Sequence, residues 1–147
     1  MWARGVGGSD SDNGEGVVVD GSGNVYVTGH FISGTADFDP GAGILELTSA
    51  GSFDVFVLKL NSSGDLVWAR RAGGTDLDLS NELVVRSDEL YVTGSFSGTA
   101  DFDPGIGTLE LNSAGTRDVF LWKLEGGGVT VGLVDPGAGL WYLRDGA

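Results

Sequence analysis

The stretch Tyr26–Gly51, YVTGHFISGTADFDPGAGILELTSAG, returns as YVTGSFSGTADFDPGIGTLELNSAG at Tyr91–Gly115. Such a repeat predicts a fold built from like supersecondary units, because each unit buries its apolar face against the next. The match extends outward on the amino-terminal side, where Trp2 corresponds to Trp68. The spacing shortens along the repeat, so we expect single-residue deletions in the loops between matching blocks.

Short alternating apolar runs separated by glycine-rich turns predict strands throughout the repeat. In the first copy we predict strands at Gly14–Asp20, Val25–Ile32, Asp54–Leu60 and Asp65–Arg71. A small hairpin around Pro40–Gly43 is expected between the second and third of these strands, because Asp-Pro-Gly sequences form turns.

The predicted strand Asp54–Leu60 is apolar on nearly all of both faces. Its faces are Phe56, Leu58 and Leu60 on one side and Val55, Val57 and Lys59 on the other. A strand of this kind lies between packed layers. Four strands connected as a meander make a blade, so the predicted fold class is all-β, with four-stranded antiparallel blades of a β-propeller.

The start of the chain fixes the predicted blade boundaries. MWARGVGG matches VWARRAGG at 67–74, which holds the last predicted strand of the first copy. We therefore expect residues 1–13 to be the outer strand and link of a preceding blade, 14–75 to be blade 1 and 76–125 blade 2. Residues 126–147 are predicted to be a linker and a β-hairpin that completes blade 2 or starts another module. About two blades are too few for a ring, because propellers contain about four to eight.

The motifs DGSGNVYVTG, GTADFDPG and DVFVLKLNSSGDLVWAR occur in this order and resemble the SBBP-type β-propeller repeat of large secreted and surface-attached bacterial proteins. The resemblance covers about residues 2–125, and two copies are present. The second copy departs from the pattern at RSDEL and at LEGGG. VTVGLVDPGAGLWYLRDGA, at 129–147, is similar to a WYLR-type extracellular β repeat, related in style to FG-GAP repeats.

The amino-acid composition excludes several classes of partner and site. A formal charge of -13 repels phosphate backbones and anionic lipid, so we expect no nucleic acid partner. Zero cysteines exclude disulfides and thiolate metal sites. No segment has the run of about 20 apolar residues that a membrane span needs. The amino terminus lacks a secretion signal, so the chain is either cytoplasmic or a piece of a longer protein. The resemblance implies a secreted or cell-surface location.

Acidic residues recur in the link between predicted blades. Asp10 and Asp12 precede the first copy, and Asp76 and Asp78 precede the second. Oxygen ligands at this spacing in a glycine-rich loop suit calcium, which takes six to eight oxygens. Asp residues also initiate turns by accepting bonds from nearby backbone. Both interpretations stay open, and the sequence predicts these four residues as the candidate metal ligands, with calcium as the candidate cofactor.

Each of the two DFDPG motifs, Asp37–Gly41 and Asp101–Gly105, carries two alternating carboxylates that share one face of a strand. Paired carboxylates can serve as acid and base, but Asp-Pro-Gly is also turn chemistry, which we favour because the motif is repeated. The single histidine, His30, is replaced by Ser95 in the second copy, so it is expected at a surface or an edge. We therefore predict no catalytic residue and no enzyme activity.

Function is less determined than fold, and three hypotheses remain open. The first is a non-catalytic scaffold with a binding or adhesion surface, and the second is a self-assembling structural protein that forms rings or filaments. The third is a calcium-stabilised carbohydrate-binding module, with Trp141 as its candidate ligand-binding residue because flat aromatic faces stack on apolar patches of ligands. The expected partners are other blades, further copies of the chain, or a glycan or surface protein.

Overall fold

A computed structural model of the protein describes residues 1–32 and 34–127, with the backbone of two further short strands. All regular elements among these residues are β-strands, which confirms the predicted all-β class. No helix in the described part of the chain is long and apolar enough to cross a membrane. The strands are β1 Asp12–Val19, β2 Val25–Phe31, β3 Ala36–Asp37, β4 Glu46–Leu47, β5 Asp54–Leu60, β6 Leu66–Gly74, β7 Leu79–Arg86, β8 Glu89–Phe96, β9 Thr99–Asp101, β10 Glu110–Asn112, β11 Asp118–Glu125, β12 Leu133–Asp135 and β13 Gly139–Trp141.

The first blade consists of β1, β2, β5 and β6, paired antiparallel in that order. Its first turn forms because the Asp20 carboxylate accepts the backbone N–H groups of Ser22 and Asn24, both at 2.9 Å. Gly23 completes the turn at a φ of 82°, a conformation that other residues adopt at a cost. The short hairpin of β3 and β4 is inserted between β2 and β5, as predicted.

The second blade repeats this plan with β7, β8 and β11. The turn between β7 and β8 has two residues, against five between β1 and β2, and Ser87 adopts a φ of 56° there. The hairpin of β9 and β10 is inserted between β8 and β11. The predicted carboxy-terminal hairpin is present as β12 paired with β13, in a sheet separate from that of blade 2.

The two blades pack face to face through one apolar core. Val55 and Val57 of β5 are fully buried against blade 2, while Phe56 and Leu58 point into a second cluster on the opposite side of blade 1. This is the division of β5 into two apolar faces that the sequence predicts. The core between the blades contains Tyr26, Val55, Val57, Trp68, Ala72, Leu83, Leu90, Val92, Phe96, Ala100, Phe102, Phe120, Trp122 and Leu124.

Each inserted hairpin also contacts the outer strand of the preceding repeat. β9 pairs with the end of β6, with Gly73 opposite Asp101 and Gly74 opposite Ala100. Near the start of the chain, Gly7 forms a β-bridge with Asp37 of β3. The segment Trp2–Gly8 therefore contacts blade 1 as β6 contacts blade 2, and its role as the outer strand of a preceding blade stays a prediction.

Candidate functional site

The most elaborate polar contacts lie where one blade meets the next. At the end of β11, the carbonyl oxygen of Gly126 accepts Lys59 Nζ at 2.7 Å and Trp68 Nε1 at 3.3 Å. The Arg70 guanidinium donates to the two carbonyl oxygens on either side of Gly126, at 3.2 and 3.4 Å. The same guanidinium stacks over the Trp68 ring at 4.4 Å from its centroid. We call Trp68 and Arg70, with the turn they hold, the Trp–Arg clamp.

A second clamp of the same design occurs at the amino-terminal side of blade 1. Trp2 Nε1 donates to the carbonyl oxygen of Ser62 at 3.2 Å, and Arg4 Nε donates to that of Gly64 at 2.8 Å. Gly64 has a φ of 82°, and a Cβ atom there would lie 2.9 Å from the Trp2 ring. The clamp therefore requires glycine for two separate reasons, the backbone conformation and the close approach of the indole.

Two buried carboxylates and one arginine occupy the other end of the interface. Asp54 and Asp78 are both fully buried, and the Arg71 guanidinium pairs with Asp54 Oδ2. Within the described part of the chain, Asp54 Oδ1 is buried and has no hydrogen-bond partner. A Cβ atom on Gly73 would lie 2.7 Å from Asp54 Oδ1 and 2.9 Å from Asp78 Oδ2, so both carboxylates crowd the same glycine. We call Asp54, Arg71 and Asp78 the carboxylate cluster.

Burial dominates the electrostatics of this cluster. Desolvation raises the pKa of Asp78 to about 6, although its carboxylate accepts the N–H groups of Gly74 and Ser97, and the charges of Asp54 and Asp76 push it in the same direction. Desolvation also raises the pKa of Asp54, against the opposing effect of the Ala50 N–H and Arg71. A single arginine therefore faces two carboxyl groups whose charged forms are both disfavoured by burial.

The candidate metal ligands are not gathered around a common point. Asp12 Oδ2 accepts the N–H of Gly8 at 2.7 Å, as Asp78 Oδ2 accepts that of Gly74 at 2.7 Å. Asp10 accepts the Ser9 hydroxyl at 3.2 Å, and Asp76 is exposed. Within residues 1–32 and 34–127, no three acidic or histidine side chains form a group that could hold a metal ion. Calcium binding at these four residues stays a prediction.

The DFDPG carboxylates serve as turn caps in both copies. Asp37 Oδ1 accepts the N–H groups of Asp39 and Leu45, each at 2.9 Å. Asp101 Oδ1 does the same with Asp103 and Leu109, at 2.9 and 2.8 Å. These backbone N–H groups hold the pKa of Asp37 and of Asp101 below the usual value. A carboxylate whose pKa is lowered in this way is a poor proton acceptor, in agreement with the interpretation of DFDPG as a turn.

His30 is more enclosed than the sequence suggests. Its side chain is 13% exposed, and its ring packs edge-on against Phe53 with centroids 5.1 Å apart. It lies on β2, the second of the four strands of blade 1, so the expected surface or edge position is wrong. That expectation rests only on the replacement of His30 by Ser95 in the second copy. Burial lowers the pKa of His30. Trp141, the candidate ligand-binding residue, lies in β13, and its side chain is outside the described residues.

Sequence reasoning missed the clamp and the carboxylate cluster. The signal for the clamp was present, since Trp-Ala-Arg occurs at the same place in both repeats. The sequence alone does not show, however, that these indole and guanidinium groups reach the backbone of the following blade. Asp54 and its counterpart Asp118 also recur, but only the fold places Asp54 next to Asp78.

Comparison with known proteins supports the repeat architecture. Residues 2–30 match the family model described as the SBBP beta-propeller repeat. A protein of Acanthamoeba polyphaga mimivirus described as "Uncharacterized WD repeat-containing protein L264" is 25% identical over 114 residues. That alignment covers 68% of this chain and 8% of the viral protein, so the chain spans under a tenth of its relative's length.

The fold and the matches together define a β-propeller repeat module. The SBBP resemblance stated from the sequence is confirmed by the family match, and the WD-repeat relative supports a propeller-type repeat beyond it. Both comparisons indicate a repeat module of the propeller type.

Proposed function

We propose that the chain is a scaffold module of a secreted or cell-surface bacterial protein and presents a binding or adhesion surface. The observation that carries the proposal is the use of the repeated polar residues. Asp37 and Asp101 cap turns, and Trp68 and Arg70 join blades. Side chains that hydrogen-bond to backbone atoms in every repeat stabilise the fold, and a repeated structural element is seldom an active site. The surface location rests on the resemblance.

Two measurements test this proposal. The first is hydrolytic turnover of nitrophenyl glycosides, esters and phosphates by the protein and by Asp37→Asn and Asp101→Asn variants. We expect no turnover above buffer, and turnover that disappears in either variant would contradict a scaffold role. The second is antibody labelling of intact bacterial cells that express the natural protein. Labelling that appears only after the cells are permeabilised would contradict the surface location.

A second candidate function, self-assembly, is favoured by the exposed sides of the two blades. Val119 and Leu121 of β11 are 78% and 72% exposed, although their counterparts Val55 and Val57 are fully buried between the blades. Apolar sheet faces of this kind mark interaction surfaces. Sedimentation velocity over about a hundredfold range of concentration tests the candidate. A single monomeric species throughout would exclude it and leave the scaffold proposal intact.

A further inference from the structure

β11 has a free edge in the part of the chain that the structure describes. β8 pairs with it along its full length from Asp118 to Glu125, but no described strand lies on its other side. The equivalent strand of blade 1, β5, is covered by β6 on that side. A sheet edge with free N–H and C=O groups is a template for pairing with a further strand.

The segment Trp2–Gly8 has the complementary property. Its sequence WARGVGG repeats WARRAGG of β6, with five of seven residues identical. It makes the clamp contacts of β6 through Trp2 and Arg4, and the hairpin contact of β6 through Gly7. Among the described residues, however, Gly7 alone of this segment forms a β-bridge, so no strand pairs with it as β5 pairs with β6.

We propose that Trp2–Gly8 of a second copy of this chain adds to the free edge of β11 as the outer strand of blade 2. The β5–β6 pair, in which Val55 lies opposite Ala72 and Val57 opposite Arg70, gives the register. By this template, Val6 of the second copy lies opposite Val119, and Arg4 of the second copy lies opposite Leu121. The proposal rests on self-assembly, the second candidate function, and specifies its contact.

The same placement covers the exposed apolar faces. Blade 1 of the second copy packs on blade 2 of the first copy as blade 2 packs on blade 1 within one chain. Val17 and Val19 of β1 are 67% and 57% exposed, whereas Leu83, the counterpart of Val17, is buried between the blades. The contact joins two different surfaces, so it is heterologous and repeats into a ring or a filament.

One substitution between the repeats distinguishes the contact between copies from the contact within a chain. Arg71, which neutralises Asp54, is replaced by Gly5 at the equivalent place in Trp2–Gly8. The counterpart of Asp54 on the free side is Asp118, and the counterpart of Asp78 is Asp12. The contact between copies therefore brings Asp118 of one copy near Asp12 of the other without an arginine, which weakens it relative to the internal contact.

This difference provides a gain-of-function test in the full chain. A Cβ atom at Gly5 would meet no atom of the described residues within 4 Å and the residue does not have a positive φ, so Gly5→Arg is expected to fit the single chain without backbone strain. By supplying the missing partner of Asp118, it is expected to tighten assembly about tenfold in sedimentation equilibrium. Gly21→Arg is the matched control, because it makes the same charge change at an equally open glycine. Adding Asp118→Asn to Gly5→Arg is expected to abolish the gain.

Disulfide trapping tests the register, since the chain contains no cysteine. A mixture of Val6→Cys and Val119→Cys proteins, oxidised mildly, is expected to give the mixed dimer at least about fivefold more than a mixture of Val6→Cys and Leu121→Cys. The Cα atoms of the second pair are diagonal neighbours at about 7–8 Å, which a disulfide does not span. Val55→Cys with Ala72→Cys in one chain controls for the geometry of this pair of positions.

The outcomes separate the two levels of the proposal. A monomer at all concentrations, unchanged by Gly5→Arg, would overturn both self-assembly and strand addition. Assembly that responds equally to Gly5→Arg and Gly21→Arg, or equal trapping of Val6→Cys by the two partners, would overturn strand addition alone. A selective response to Gly5→Arg together with selective trapping at Val119→Cys would support the proposed contact.

Discussion

The Asp78→Asn substitution is expected to stabilise the protein at about pH 7.5 and to flatten its stability between about pH 4 and 7. Asp78 is fully buried beside Asp54, and its pKa is raised to about 6. An Asp in an unfolded chain has a pKa near 3.9, so between these values the folded protein binds a proton that the unfolded chain does not. Stability therefore falls as the pH rises through this window.

The magnitude follows from the same pKa difference. The full difference is worth roughly 3 kcal/mol at about 1.4 kcal/mol for each pKa unit. Because exposed Asp76 and part-exposed Arg71 admit solvent screening nearby, we take about half of it, ~1.5 kcal/mol. Asparagine keeps the oxygen that accepts the Gly74 N–H, but its amide nitrogen replaces the oxygen that accepts the Ser97 N–H at 3.3 Å. That hydrogen bond is long, so removal of the buried charge is the larger effect and favours the variant at neutral pH.

Urea unfolding followed by tryptophan fluorescence measures the effect, because Trp68 and Trp122 are buried in the core between the blades. The free energy of unfolding of the natural protein is expected to be lower at about pH 7.5 than at about pH 5, and that of Asp78→Asn to change much less. Asp76→Asn is the control, since it removes the same charge from an exposed neighbour. An equal pH response in the natural protein and Asp78→Asn would refute the reasoning.

Three further outcomes are expected. Gly64→Ala should lower the free energy of unfolding by about 1–2 kcal/mol in urea titrations, because alanine is strained at the positive φ and its Cβ would clash with the Trp2 ring. The control Gly21→Ala, whose Cβ would lie in open space, should change this free energy by a few tenths of a kcal/mol. Arg70→Lys keeps the charge but cannot donate to two carbonyl groups at once, so urea titrations should show a free energy of unfolding lower by about 1 kcal/mol. The same substitution at exposed Arg86 should leave the free energy of unfolding unchanged. Calcium binding at the four candidate ligands predicts a rise of several degrees in the melting temperature with millimolar calcium, and an unchanged melting temperature would exclude the site.

The sequence predicted most of the fold because its repeats combine alternation with turn chemistry. The bounds predicted for β5 agree with the structure, and those for β2 and β6 differ only at their ends, since glycine and Asx turns limit these strands on both sides. The predicted start of β1 at Gly14 is two residues late, because Asp12 and Asn13, which pair with β2, fall in the link predicted before blade 1. A polar residue in the first pairs of a strand carries no alternation signal.

The interface chemistry was beyond sequence reasoning for a different reason. Asp54 and Asp78 lie on different blades, and the effect of burial on their pKa values exists only once the blades are packed. Arg70 is also ambiguous in sequence, because an arginine at an exposed strand position is ordinary. Only the position of the turn that follows β11 shows that its guanidinium has two carbonyl groups to hold.

The pairing of β9 with β6 has a mechanical consequence. The last two residues of β6 hydrogen-bond to a hairpin that belongs to the following blade. Detachment of that hairpin would therefore remove backbone hydrogen bonds from the outer strand of the preceding blade. A force applied to one repeat is in this way transmitted to its neighbour. A cut between consecutive blades would remove strand pairing from both of them. We therefore expect neighbouring repeats to resist mechanical unfolding as a coupled unit and not one at a time.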